Sequence, residues 1–420
     1  MDKLSLNSIN QMVYVIIVSL IFVFYYFSRT IESYVFSSIM LFATLYYYKG
    51  FQDLKTPISL FNYFYFFFVV FGFFAEATLR GFDYHIGLMV LVSAVSYNFF
   101  LPFRSYQKQN IDRSEIGNKT LVTQLSFAFC CLSVLASIIY FKKVGSIPLF
   151  SASSPEDRIN AMTGYGYLLQ PMRFGPVSAI ILYFSLPERS KKIGLILFLF
   201  TNLLLLGTGF RGTFFQNFIL FLASVSVSRN INIGFYKSVK LGLVLILSVV
   251  MIGIFRGDGS IISSLTVKIL HSVSVSIYIL NTVIEHFEGI KYGATFFYKF
   301  SSILPMENVE FTQWLTTQLP LNFSGGVTPT IVGDMYINFG GFYWAGMLLI
   351  GMISLYFEKL VLQSNYNYLT IFLVLTISLG LARTATGGLS NTLFQTCLSC
   401  MFVLAFIVVS KLNLGNKIKG

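Results

Sequence analysis

Charge is scarce in this chain. Of its 420 residues only 11% are Asp, Glu, Lys or Arg, and it has 3 histidines and 4 cysteines. Each shortage excludes something. His85, His271 and His286 are too few and too widely separated for a histidine metal cage, and the carboxylates fall singly or in pairs, so no metal site and no cofactor are expected. Cys130, Cys131, Cys397 and Cys400 all lie within apolar runs. Thiolates would be desolvated there, which argues against a disulfide framework or a zinc site and in favour of small packing residues. No Walker A loop, HExxH or Gly-x-Ser-x-Gly is present. What the chain does have is 55% hydrophobic and 17% aromatic residues, with a mean hydropathy of +0.73. That composition predicts an all-α polytopic membrane protein forming one integral membrane domain over residues 1–420.

Apolar runs of spanning length predict about twelve transmembrane helices, near 11–28, 31–48, 58–75, 86–103, 121–141, 172–187, 193–209, 212–228, 239–255, 332–357, 368–385 and 391–410. The opening Met1-Asp2-Lys3 leads into the first run with no small-residue cleavage site behind it, so no cleaved signal is expected. A net charge of +12 would suggest nucleic acid in a soluble protein, but here the cations gather in the short connections between spans. With both termini cytoplasmic, seventeen of the cations fall inside and twelve outside, the outer ones over a longer stretch of chain. This is the positive-inside asymmetry, and it leaves no nucleic-acid partner to expect.

The two sides also differ in residue type. Thirteen of the seventeen inner cations are lysine, whereas seven of the twelve outer ones are arginine. Orientation needs only charge, while arginine's planar fork suits a bidentate grip on phosphate or carboxylate. Five outer arginines are therefore candidate anion ligands: Arg158, Arg173, Arg211, Arg256 and Arg383. Several have small neighbours, as in Gly207-Thr-Gly-Phe-Arg-Gly-Thr, Phe255-Arg-Gly-Asp and Ala382-Arg-Thr-Ala-Thr-Gly-Gly, a pattern that gives a ligand clearance to approach the backbone. Arg29 and Arg80, at short outer turns, are read as snorkelling to the headgroups.

Two outer loops are long, at about 142–171 and 256–330. In the first, Ser154-Pro-Glu-Asp-Arg resembles the start of a short helix with Asp157 in its first turn. In the second, Ile269 to Ile284 has no Asp, Glu, Lys or Arg. A crossing there would invert everything downstream and place Lys359, Lys411, Lys417 and Lys419 outside, so a helix lying in or against the membrane surface is expected. Such a helix would turn His271 toward water or a cavity, where it could act as a general base or serve a structural role. Asp334, at the start of the tenth span, is read either as a helix-terminal cap or as a base or arginine partner.

The order of these features resembles that of the oligosaccharide repeat-unit polymerases, the Wzy-type O-antigen and capsule polymerases. The resemblance is carried by Gly145-Ser-Ile-Pro-Leu-Phe, Gly207-Thr-Gly-Phe-Arg-Gly, Tyr292-Gly-Ala-Thr leading to Leu304-Pro305, and Thr328-Pro-Thr-Ile-Val-Gly-Asp-Met-Tyr-Ile-Asn-Phe-Gly. It implies a GT-C-like membrane glycosyltransferase of the bacterial inner membrane whose active site faces the periplasm or outside. Its substrate would be an undecaprenyl-diphosphate-linked oligosaccharide, and its partners would be membrane lipid and a chain-length regulator membrane protein. In that chemistry the departing diphosphate needs charge stabilisation, the role the resemblance implies for the arginines, while His271, Asp334 and Asp157 are the candidate catalytic residues. An O-antigen ligase, or a flippase for lipid-linked oligosaccharides, is the alternative.

Overall fold

A computed structural model describes residues 56–80, 83–101, 116–151, 165–209, 211–229, 262–302, 310–321, 327–363 and 367–412, and among these every regular element is a helix. The spans expected at 11–28, 31–48 and 239–255 lie outside the described residues, as do Asp157, Arg158 and Arg256. The helices are α1 (Pro57–Phe64), continued through a π-turn at Tyr65–Val70 into α2 (Phe71–Arg80), α3 (Tyr84–Asn98), α4 (Lys119–Val144), α5 (Gly166–Ser185), α6 (Lys191–Gly207), α7 (Arg211–Ser228), α8 (Ile262–His286), α9 (Phe311–Gln318), α10 (Thr330–Phe339), α11 (Tyr343–Gln363) and α12 (Tyr368–Lys411).

Among the described residues, four segments are long and apolar enough to cross a membrane: Lys119–Val144, Glu188–Gly207, Thr330–Val361 and Tyr368–Lys411. Their outward residues are apolar, with Ile138, Leu135, Ile196, Leu203, Met401 and Val408 exposed, while Ser133, Ser137 and Asn202, and Asn217 on α7, are buried. Among lipid tails, apolar side chains can face outward without cost, and polar groups find their partners between helices. The interior follows that logic. Asn217 donates to Asn202 Oδ1 at 3.1 Å, Asn202 donates to the Phe214 carbonyl at 3.1 Å, and Ser133 donates to the Met172 carbonyl at 3.3 Å. All four cysteines are free, and Cys130 packs against the Gly175 carbonyl.

Small residues set how closely the helices approach. On α11, a Cβ at Gly351 would lie 2.2 Å from the Tyr97 carbonyl oxygen, a backbone atom that cannot swing aside. Gly351→Ala is therefore expected to destabilise the protein by about 1–3 kcal/mol or more. Thermal aggregation in detergent checks this against Gly341→Ala, whose Cβ meets nothing within 4 Å; equal transitions for the two variants would contradict the seam.

The bundle has two distinguishable ends. At one, the Asn118 amide donates to the Ser410 carbonyl at 2.8 Å, Thr123 donates to Ser185 at 3.0 Å, Phe184 stacks on Tyr368, and Arg229 donates to Tyr183 at 3.3 Å. Lys119, Arg189, Lys191, Lys192, Arg229 and Lys411 all fall in segments that meet at this end. At the other end lie the turn Thr208–Gly209 leading to Arg211, the Gly145 cap of α4, and a break in α12.

That break explains a length that no bilayer could accommodate. As a straight rod the 44 residues of α12 would run about 66 Å, against a hydrocarbon core of about 30 Å. Gly388 interrupts it at φ 72°, ψ 164°. A Cβ on Gly380 would lie 2.2 Å from Thr396 Cγ2, so positions equally far before and after Gly388 touch. The helix is a hairpin, and its two arms match the separate spans expected at 368–385 and 391–410.

Two expected stretches take more definite form. The span expected over 332–357 falls within Thr330–Val361 and is built of two helices, α10 and α11, joined by a 3₁₀ turn at Gly340–Phe342 where Gly340 takes φ 56°. The apolar stretch 269–284 is helical. It belongs to α8, which packs along α2 and α10 and buries Ser274, Ile277, Leu280 and Val283. Hydropathy registers an apolar run without saying whether lipid or protein surrounds it. Beyond α8, the chain gathers around a small apolar cluster of Ile279, Val283, Phe311, Leu315, Leu319, Val327 and Ile337.

Candidate functional site

Two of the five candidate arginines come together. Arg173 sits two turns into α5, and Arg383 lies on the first arm of α12, five residues before Gly388. At about 1.5 Å per residue that is some 7–8 Å below the hairpin tip. Both are partly buried, and they are close enough for their charges to repel each other. Arg173 Nη1 donates to the neutral Oε1 of Gln395, on the second arm, at 2.9 Å. Among the described residues the Arg383 guanidinium has neither a carboxylate nor a hydrogen-bond acceptor. A single membrane-embedded arginine costs about 3 kcal/mol, and a like-charged neighbour raises that cost unless an anion is shared between the two. Sequence reasoning passed over Gln395. The signal was available, because a glutamine inside the apolar run 391–410 needs a polar partner. One turn before Arg173, Gln170 also presents a buried Oε1 with no hydrogen-bond partner.

Arg211 opens α7 at this same end, with its side chain outside what is described, as is that of His271 on α8. The glycines around Arg211 have different jobs. Gly209 takes φ 90°, which the turn requires. A Cβ on Gly207 would lie 2.8 Å from the Phe141 ring, so that glycine serves helix packing. Gly212 faces open space, with the nearest atom to its Cβ 3.9 Å away on Gln216. Of Gly207 and Gly212, only the latter leaves room for a ligand.

Arg80, at the end of α2, is partnered. It pairs with Glu76 at 2.5 Å within α2, and its guanidinium lies 4.5 Å above the Tyr278 ring. The spacing of four residues was readable as an ion pair.

Asp334 is fully buried. It does not cap its own helix. Its Oδ2 accepts from the Ser390 amide at 2.8 Å and its Oδ1 from Ser390 Oγ at 2.6 Å, and the Leu389 amide also donates to the carboxylate. Asn338, one turn further along α10, donates to Oδ1 at 3.2 Å. Both oxygens are thus occupied by protein donors. Among the described residues no three His, Cys, Asp or Glu side chains converge.

A family model described as "Putative O-antigen polymerase" matches residues 8–395, taking in Arg173, Arg383 and the hairpin tip. No curated protein and no solved structure matches the chain.

Proposed function

Since the chain belongs to the O-antigen polymerase family, we propose that it joins undecaprenyl-diphosphate-linked repeat units into O-antigen or capsular polysaccharide on the outer face of a bacterial inner membrane. The observation that carries this reading is the Arg173–Arg383 pair, two facing cations of which Arg383 has no anionic partner among the described residues. A lipid diphosphate supplies the missing charge. Guanidinium forks bind its oxygens bidentately and do so more strongly as the leaving group gains charge.

In the proposed reaction a hydroxyl on the terminal sugar of the new lipid-linked unit attacks the anomeric carbon of the growing glycan. The bond from that carbon to the diphosphate oxygen breaks, the lipid diphosphate leaves with the bonding electrons, and the hydroxyl proton passes to a base. Asp334 is poorly suited to be that base because its oxygens are already taken. His271 and Asp157 remain the proposed candidates. Arg211 joins the anion site from the start of α7, Gln170 is a neutral acceptor for a sugar hydroxyl, and Arg158 and Arg256 complete the set from the outer loops.

The end of the bundle bearing Lys119, Lys191, Lys192 and Lys411 is proposed to be cytoplasmic, in keeping with the positive-inside asymmetry. Both termini then lie inside, twelve helices cross, and the architecture is GT-C-like. A chain-length regulator is the proposed membrane partner. No observation favours the ligase or flippase alternatives.

The test is elongation of a purified lipid-linked repeat unit by the purified protein without a nucleotide sugar. Arg211→Ala is expected to lower polymer formation about a hundredfold or more, as loss of one preorganised charge donor does elsewhere, with normal membrane levels. A normal ladder of chain lengths from this variant would remove Arg211 from the site.

A further inference from the structure

We propose that Asp334 is a positioning residue: by capping the tip of the α12 hairpin from a neighbouring helix, it sets the spacing of Arg173 and Arg383. The inference rests on the reading of that pair as an anion site. The dependence follows from where each group is attached. Arg383 belongs to the arm before Gly388. Arg173 is held by Gln395 on the arm after it, at 2.9 Å. The distance between the guanidinium groups is therefore governed by how the two arms meet, which is decided at Gly388.

A helix that restarts after a break exposes amides with no acceptor within the helix. Usually the preceding residue's own side chain caps them, but here that residue is Gly388, which has no side chain. The acceptor is supplied by Asp334, 56 positions before Ser390, through the Leu389 and Ser390 amides and Ser390 Oγ. The fit is close, since a Cβ on Gly388 would lie 2.8 Å from Asp334 Oδ2.

The same cluster fastens the outer segment. Because Ser390 Oγ donates to Asp334, it is left to accept from Thr295 Oγ1, 2.6 Å away. Asn338 Nδ2 donates to Thr295 Oγ1 at 2.7 Å, and Asn338 Oδ1 accepts from the Gly293 amide at 3.0 Å. Three stretches far apart in the chain thus converge on one carboxylate: α10, the hairpin tip and the 3₁₀ segment Ala294–Ser302. Asp334 acts through Arg383 and touches no reacting atom.

The experiment measures binding of inorganic diphosphate by calorimetry, and KM and kcat for a lipid-linked repeat unit, on the full chain in detergent. Ser390→Ala, which removes one charge-assisted hydrogen bond, is expected to weaken diphosphate binding and raise KM about tenfold. Ser390→Thr, which keeps the hydroxyl, should restore both. In an Arg383→Ala background Ser390→Ala should have no further effect, because the residue it positions is gone. Thr295→Val approaches the cluster from the outer segment and should act in the same direction if Ser390→Ala fails to accumulate.

Unchanged diphosphate affinity in Ser390→Ala or Thr295→Val, or an equal loss with and without Arg383, would overturn the positioning role while leaving the anion site standing. If the parent protein does not bind diphosphate, or Arg383→Ala binds it as tightly as the parent, the anion site itself falls.

Discussion

Arg383→Ala is expected to abolish chain elongation while leaving the protein at least as stable as before. The two halves of that expectation separate a binding residue from a structural one. Arg383 lies close enough to Arg173 for their charges to repel and has no hydrogen-bond acceptor for its guanidinium among the described residues, so alanine relieves a repulsion and a desolvated charge. The melting temperature in detergent should hold or rise, the usual pattern where function is maintained against stability. Transfer to the acceptor should fall about 10²–10³-fold, because the charge developing on the leaving diphosphate loses a preorganised donor. Arg383→Lys keeps the charge but loses the fork, and should recover only part of the rate. A ladder of normal length from Arg383→Ala would contradict the proposed site, and a large loss of melting temperature would recast Arg383 as part of the framework.

Gly388→Ala should be strongly damaging for the addition of a single methyl group. At φ 72°, ψ 164° the backbone lies in a region essentially reserved for glycine, and a side chain there costs about 1–3 kcal/mol before any contact is considered. The added Cβ would also lie 2.8 Å from Asp334 Oδ2 and 2.9 Å from Asp334 Cβ. Asp334 is fully buried and held by Ser390 and Asn338, so it cannot retreat without uncapping the hairpin. The combined cost is about 3 kcal/mol or more, enough to reduce the amount of folded protein in the membrane. Gly387→Ala is the control. Its Cβ would meet Thr392 Cγ2 at 3.2 Å with no backbone penalty, and its melting temperature should shift far less. Similar transitions for the two variants would show that the break tolerates a side chain.

The arms of the hairpin were legible because each is a predominantly apolar run of spanning length. The residue between them that makes the turn was not, since Gly387 and Gly388 read alike and only the backbone distinguishes them. The turn before Arg211 was likewise visible in its glycines, although Gly207 turned out to serve helix packing. Asp334 exposes the limit of local reasoning. Its place near the start of a helix suggested a cap, but the helix it caps begins more than fifty residues later, and no spacing rule reaches that far. The pairing of Arg173 with Arg383 was hidden for the same reason, whereas Glu76 and Arg80 were readable four residues apart.

The hairpin constrains length as strictly as composition. Gly380 meets Thr396 because each stands eight positions from Gly388. Adding or deleting one residue between them would turn one arm by about 100° relative to the other. Gln395 would swing away from Arg173, and the small face of Gly380 would no longer receive Thr396. Among homologous chains, substitutions on the lipid-facing side of either arm should drift freely, while the number of residues between positions 380 and 396 should stay constant.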